Sequence, residues 1–432
     1  MSELTLLEDL KARGLVAQMT SEEELQQHLN DGSVTLYCGF DPTADSLHIG
    51  SLVPLLTLRR FQSYGHKPLA LVGGATGLIG DPSFKAQERK LNDDETVAGW
   101  VEKLKAQVSA FIDFDCGSHS AEVVNNLDWT RGLDVLTFLR DVGKHFSVNQ
   151  MIAKESVKQR IDREGEGISF TEFTYMILQS FDFQQLNASH GCTLQIGGSD
   201  QWGNITGGTE LTRRMNGNKA YGLTLPLITK SDGTKFGKTE SGTIWLSAAK
   251  TSPYAFYQFW LQTADADVYR FLKYFTFLSV EAIEQLELDD KNREGKPLAQ
   301  SVLATEVTRL VHGEEGLTAA KRITEALFSG DTAQLSENDY EQLSMDGLPT
   351  SQLNLDGLES SPLTQLLSEA DMGTGKQVKD ALQRNAVTVN GVAVGLDMVS
   401  MSHKVFTQDV AIYGKYFLVK LGKKKHQLFV IS

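Results

Sequence analysis

The sequence predicts an α/β fold built on a doubly wound parallel sheet, joined to an α-helical region and a small α+β module. Three observations carry this. Strand and helix patterns alternate through residues 1–229, as βαβ crossovers require. Several of the strands end in Gly or Asp-Pro breakers, where a parallel sheet turns into its next helix. From Ser252 to Phe328 the pattern becomes that of longer helices, and after Ser361 it becomes short strands with hairpin turns.

The elements follow in order. Val34–Phe40 is an apolar, β-branched run that stops at Asp41-Pro42, and a helical pattern runs from His48 to Ser63. Lys67–Gly74 is a second strand, closed by a glycine-rich loop through Asp81-Pro82. Ala121–Asn126 and Thr193–Gly197 are the third and fourth, with amphipathic helices such as Val97–Phe111 between them, and Tyr221–Ile228 is a further strand. Helices are expected at Ala264–Leu278 and Lys296–Val311, and residues 331–360, rich in Ser, Gly, Asp and Asn, read as a linker. In the last segment Gln377–Asn385 is helical, Val387–Val389 is a strand and Asn390-Gly391 is a hairpin turn. Tyr416–Leu421 and His426–Ile431 form a second hairpin. The expected organisation is 1–229, 230–330, a linker at 331–360, and 361–432.

Composition excludes several classes. No apolar run reaches the roughly 20 residues that a membrane helix needs. The segment Met1–Leu10 lacks the basic start and apolar middle of a secretory signal. A cytoplasmic protein is therefore the expectation. The three cysteines, Cys38, Cys116 and Cys192, are far apart and odd in number, and the histidines are scattered. Neither a disulfide framework nor a protein-held metal site is expected. The net charge is −14, yet residues 361–432 hold nine Lys/Arg against five Asp/Glu. A basic end on an acidic chain points to contact with phosphates there.

The chemistry is sought in the loops at the carboxyl ends of the strands, where such sheets bind ligands. In Asp41-Pro42-Thr43-Ala44-Asp45-Ser46-Leu47-His48-Ile49-Gly50-Ser51 a strand ends and a helix begins. A helix N-terminus offers free N–H groups to an anion, His48 can bond a phosphate, and Gly50 admits close approach. In Lys235-Phe236-Gly237-Lys238-Thr239 two lysines beside glycines make a cationic loop that can close on a pyrophosphate. Lys85 and Arg89 form a third basic cluster. Tyr175, Gln179 and Asp182 fall at i, i+4 and i+7, on one face of a helix that is otherwise apolar. A buried Asp182 without a basic neighbour in sequence needs a ligand or partner.

The first two motifs, in this order on one α/β domain, resemble the HIGH and KMSKS signatures of class I aminoacyl-tRNA synthetases in their tyrosyl branch. The departures are Ser51, Phe236, Gly237 and Thr239. The resemblance implies a Rossmann-like catalytic domain at 1–229, a helical anticodon-binding domain at 230–330 and an S4-like RNA-binding domain at 361–432. It implies that Tyr37 and Asp182 bond the substrate phenol, that Tyr175, Gln179 and Asp81 hold its ammonium, and that Gln201 approaches its carboxylate. ATP would lie against Cys38, Gly39, Asp41, Thr43, His48, Gly50, Gly198 and Asp200. Thr43, His48, Lys235 and Lys238, with Lys85 and Arg89 near the pyrophosphate, would serve the reaction. Cys38 is not a candidate nucleophile, because nothing near it in sequence is placed to activate it. The implied partners are L-tyrosine, tRNA(Tyr), a second copy of the chain, and ATP accompanied by Mg²⁺. The alternatives are a tryptophanyl-tRNA synthetase, a non-catalytic RNA-binding relative and a simple adenylyltransferase. Tyr37 with Asp182 favours a phenol, and the retained His48, Lys235 and Lys238 favour catalysis.

Overall fold

The computed structural model describes residues 4–81, 93–161, 167–234, 236–239, 242–422 and 425–432. Six strands form the first sheet: β1 (Gln18–Met19), β2 (Thr35–Phe40), β3 (Lys67–Val72), β4 (Glu122–Asn125), β5 (Cys192–Gly198) and β6 (Tyr221–Leu225). Their order is β1-β6-β5-β2-β3-β4, and all pairs are parallel except β1 with β6. The chain runs outward from β2 to β4, then crosses back to β5 and β6. The reversal between β2 and β5 is the topological switch point, where the helices diverge and a crevice opens.

β3 is buried except at Lys67, and β2 except at Thr35 and Gly39, as expected of parallel strands covered on both faces. Tyr37, Leu69, Leu71, Phe183 and Leu186 pack as one cluster of that core. The long Phe170–His190 helix is capped by Ser169 and ends at Gly191 in the left-handed conformation. β1 has no precedent in the sequence reading, since two residues are too few to show a period.

Two short strands, β7 (Lys238–Thr239) and β8 (Gly242–Thr243), pair after β6. Residues 1–247 and 263–303 cluster as one unit, and 248–262 with 304–432 as a second. The expected division at 229/230 therefore does not match the packing: the helices Asp265–Phe275 and Val280–Asn292 lie within the first unit. Arg13 explains part of this. Its guanidinium is paired with Asp9 and donates to the carbonyls of Lys273 and Leu278.

The second unit holds a five-stranded sheet of β9 (Thr350–Leu353), β10 (Val387–Val389), β11 (Val392–Val394), β12 (Tyr416–Leu421) and β13 (Lys425–Ile431). The order is β11-β10-β12-β13-β9. Asn390 and Gly391 both have positive φ and join β10 to β11, the two-residue turn expected of Asn-Gly. The linker reading of 331–360 is corrected. Glu337–Gln342 is a helix with a capping box, and β9 pairs in parallel with β13. A four-residue edge strand of Thr-Ser-Gln-Leu is too short and too polar to announce itself.

Candidate active site

The crevice at the switch point is walled by the end of β2, the end of β5 and the helix Phe170–His190. Tyr175 and Asp182 are buried on that helix. Asp182 accepts from Asn126 Nδ2 at 3.0 Å and from Trp129 Nε1 at 2.8 Å. Burial pushes its carboxyl up to about 7 against the opposing effect of those two donors. Tyr37, on β2, is fully buried, and burial followed by the charge of Asp182 holds its pKa well above the ordinary value. It remains a hydroxyl donor.

Two polar atoms in this crevice are buried without a hydrogen-bond partner: the Tyr37 hydroxyl and the Gln179 carbonyl oxygen Oε1. Buried polar groups are nearly always paired, so each such atom needs an explanation. One lacks a partner for a hydroxyl, the other lacks a donor.

A continuous network crosses the floor. Tyr175 donates to Asp41 Oδ2 at 2.6 Å, and Thr76 donates to Asp41 Oδ1 at 2.6 Å. Asn126 donates to Thr76 at 3.0 Å as well as to Asp182, and its own oxygen accepts from the Ala75 amide. A Cβ at Gly73 would overlap both Asp41 Oδ1 and Thr76 Oγ1, so a glycine is required there. Asn126, Trp129 and Thr76 were not anticipated. The cue was available for Asn126, a polar residue at the carboxyl end of a parallel strand.

On the β5 side, Gln201 Nε2 donates to Asp81 at 2.7 Å and to Asp200 at 3.3 Å, and Gln201 Oε1 accepts from Asn204. Gln201 is thus tied to the Asp81 end of the cleft. Gly198 leaves room for the Asp200 carboxylate, which a Cβ would meet at 2.5 Å. Cys38 and Gly39 lie in β2, and burial raises the Cys38 thiol to about 12, which leaves it unreactive.

Thr43 and His48 are exposed on the loop beyond β2. His48 caps the short helix Ile49–Ser51, its Nδ1 accepting from the Gly50 amide at 3.0 Å. This fixes the neutral ring as the Nε2–H tautomer. A Cβ at Gly50 would meet the His48 ring at 2.8 Å, so Gly50 first makes room for that ring. The two signature segments meet through backbone. Ile49 N donates to Ile244 O at 2.9 Å, and Ile244 N donates to Gly237 O at 3.0 Å. Gly237 has a φ of 77°, and a Cβ there would overlap Ile49. Lys238 follows on β7, exposed. Lys85, Arg89 and Lys235 lie outside the described residues. Among the described residues no group of three or more His, Cys, Asp or Glu is placed to hold a metal ion, and no helix is long and apolar enough to cross a membrane.

Comparison with known proteins gives the same family from two directions. Residues 29–329 match the family described as tRNA synthetases class I (W and Y). A tyrosine–tRNA ligase of Aliivibrio fischeri (strain MJ11) is 63% identical over 426 residues, spanning 98% of each chain. One of Salmonella enteritidis PT4 is 59% identical over 99% of each chain. Among solved structures, a C-terminally truncated mitochondrial tyrosyl-tRNA synthetase of Aspergillus nidulans superposes with a TM-score of 0.67 at 29% identity, covering 75% of this chain and 94% of that one.

Proposed function

The chain belongs to the class I tRNA synthetases of the tryptophan and tyrosine group, and on that premise we propose how its residues carry out the reaction of a tyrosine–tRNA ligase. The enzyme activates L-tyrosine with ATP to tyrosyl-adenylate and pyrophosphate, then transfers the tyrosyl group to the 3′-terminal adenosine of tRNA(Tyr).

The observation that carries the residue assignment is the pair of buried polar atoms without partners, Tyr37 Oη and Gln179 Oε1. One tyrosine satisfies both. Its phenol accepts from Tyr37 and donates to Asp182, and its ammonium donates to Gln179, with Asp81 and Tyr175 beside it. Asp182 and Tyr175 are seven residues apart on one helix, about 10 Å along its axis, a span that accommodates a tyrosine from phenol to ammonium. An indole N–H can donate to Asp182 but cannot accept from Tyr37. That difference favours tyrosine over tryptophan at the level of the site.

The tyrosine carboxylate attacks the α-phosphorus of ATP in line, and the bond to pyrophosphate breaks. Gly39, Asp41, Thr43, Gly198 and Asp200 line the nucleotide's path, and Cys38 lies beneath it. Thr43, His48 and Lys238 stabilise the charge that develops on the leaving pyrophosphate, with Lys85, Arg89 and Lys235 assigned to the same end. ATP enters with its Mg²⁺ as part of the substrate. A ribose hydroxyl of the tRNA then attacks the acyl carbon and AMP leaves. The chemistry needs no protein nucleophile, so catalysis rests on position and charge.

Residues 361–432 are assigned to tRNA contact on their basic excess. A homodimer is supported by Val135, Leu136, Leu139, Val148 and Phe170, large apolar side chains that stand exposed within one segment of the chain. The cytoplasm is the site of action that this reaction implies.

Pyrophosphate exchange with each amino acid tests the assignment. Tyrosine is expected to exceed phenylalanine by about 10²-fold or more, the effect of losing the bonds to both Tyr37 and Asp182 at about 1–3 kcal/mol each, and tryptophan, which leaves Tyr37 alone unpaired, by about 10-fold or more. Equal exchange with tryptophan would overturn it.

A further inference from the structure

The signature loop that carries Lys238 is fastened to one helix of the first unit. Asp267 on the helix Asp265–Phe275 is buried, and its carboxylate accepts from the Ser231 amide at 3.1 and 3.0 Å and from the Ser231 hydroxyl at 3.0 Å. Arg270, paired with Asp267, donates to the Thr229 carbonyl at 2.7 Å. One turn and two turns beyond Asp267 stand Phe271 and Phe275, both buried. Phe236 is stacked on Phe275 at 5.3 Å and meets Phe271 edge-on at 5.1 Å. Positions 267, 271 and 275 share one helical face. That face therefore holds the start of the loop by hydrogen bonds and its middle by aromatic contact, two residues before Lys238.

The far end of this helix is fastened as well. Arg60 donates to the Thr276 carbonyl, and Arg13 to Lys273 O and Leu278 O. Arg60 belongs to the helix Leu52–Ser63, which continues from the His48–Ser51 phosphate signature. The two helices are thus joined at one end by Arg60. At the other, their attached signatures are joined through Ile49, Ile244 and Gly237. Both connections fix the same quantity, the placement of Lys238 relative to His48.

We propose that the helix Asp265–Phe275 is a positioning platform for the reaction, with Asp267 and Phe236 as positioning residues that set Lys238 against the phosphates of ATP. Neither touches the reacting atoms. The inference rests on the assignment of Lys238 to the leaving pyrophosphate. It goes further in naming residues outside both signatures' charged groups on which the rate depends.

A positioning role differs from a structural one in what it moves. Tyrosine is assigned to β2 and the Phe170–His190 helix, whereas Asp267 bonds to Ser231 and Phe236 packs on Phe271 and Phe275. Phe236→Ala and Asp267→Asn are therefore expected to lower the single-turnover rate of adenylate formation by about 10- to 100-fold, since misplacement by about 1 Å costs that order. Tyrosine affinity measured without ATP should stay within about twofold of wild type, because uniform binding is untouched. Phe236→Met, which refills the space between Phe271 and Phe275, should recover most of the rate. Phe236 is only partly buried, so its replacement leaves the fold intact even where Asp267→Asn does not. A Phe236→Ala rate within about twofold of wild type, or a fall in tyrosine affinity that matches the fall in rate, would overturn the proposal. The Lys238 assignment fails separately, and is recognised by a Lys238→Ala enzyme that forms adenylate at the wild-type rate.

Discussion

The two ends of the cleft are built by opposite means. At the amino-acid end Asp182, Asn126, Thr76, Asp41 and Tyr175 are bonded into one chain, most of them buried, and Tyr37 Oη and Gln179 Oε1 are buried beside it without a protein partner. At the phosphate end Thr43, His48 and Lys238 are exposed, and it is the backbone around them that is fixed. The contrast teaches a division of labour. Recognition of a neutral phenol needs desolvated groups already in place, because their worth lies in the cost of leaving them unpaired. Stabilising a leaving pyrophosphate needs cations that reach a highly charged, solvated group, so only the segments bearing them are held.

This division can be broken first at its strongest point. Lys238→Ala should lower adenylate formation by about 10²- to 10³-fold, the usual effect of removing one such stabilising group. Tyrosine affinity should be unchanged. Rapid-quench kinetics beside equilibrium binding separate the two, and a parallel loss in both would dissolve the contrast.

Asp182→Asn is next. It should weaken tyrosine binding by about 10- to 100-fold, as for a lost hydrogen bond to a charged group. The wild-type affinity should also depend on pH. The free carboxyl, raised to about 7 by burial, is ionised above that pH and accepts a hydrogen bond from the phenol. Below it the group is protonated, and binding must expel that proton. Affinity is therefore full above about pH 7 and falls by up to tenfold for each unit below, until the carboxyl pKa of the complex is reached. Calorimetric titration of wild type and Asp182→Asn checks this, and a slope that survives in the variant assigns the proton elsewhere.

The smallest effect sharpens the comparison most. Tyr37→Phe removes a buried hydroxyl that bonds to no other protein group. Thermal stability should hold or rise, by up to about 1 kcal/mol, while tyrosine affinity falls by about 5- to 10-fold. A drop in stability of the unliganded variant would show that the hydroxyl is already satisfied without substrate.

Much of this was legible in the residues. Strands β2, β3 and β5 stood out because buried parallel strands are apolar runs ended by glycine or Asp-Pro. Tyr175, Gln179 and Asp182 were readable because helical spacing puts them on one face. The pairing of Asn126 and Trp129 with Asp182 was not, since the partners are more than 50 residues apart and a hydrogen bond between distant segments leaves no period; only the place of Asn126 at a strand's carboxyl end was there to be read. The pairing of Asp267 with Ser231 is hidden in the same way. β9 was misread as linker because a polar edge strand takes its place from β13, not from its own pattern. The hold of Gln201 on Asp81 likewise joins segments 120 residues apart.

The chain of bonds from Tyr175 to Asp182 has a direction. Tyr175 and Thr76 both point their protons at Asp41, and Asn126 and Trp129 both point theirs at Asp182. With a carboxylate closing each end, no hydroxyl between them is left to swivel toward an ill-matched guest. A floor held in this way cannot be obliging. Accuracy is then decided at the moment of entry, before any ATP has been consumed.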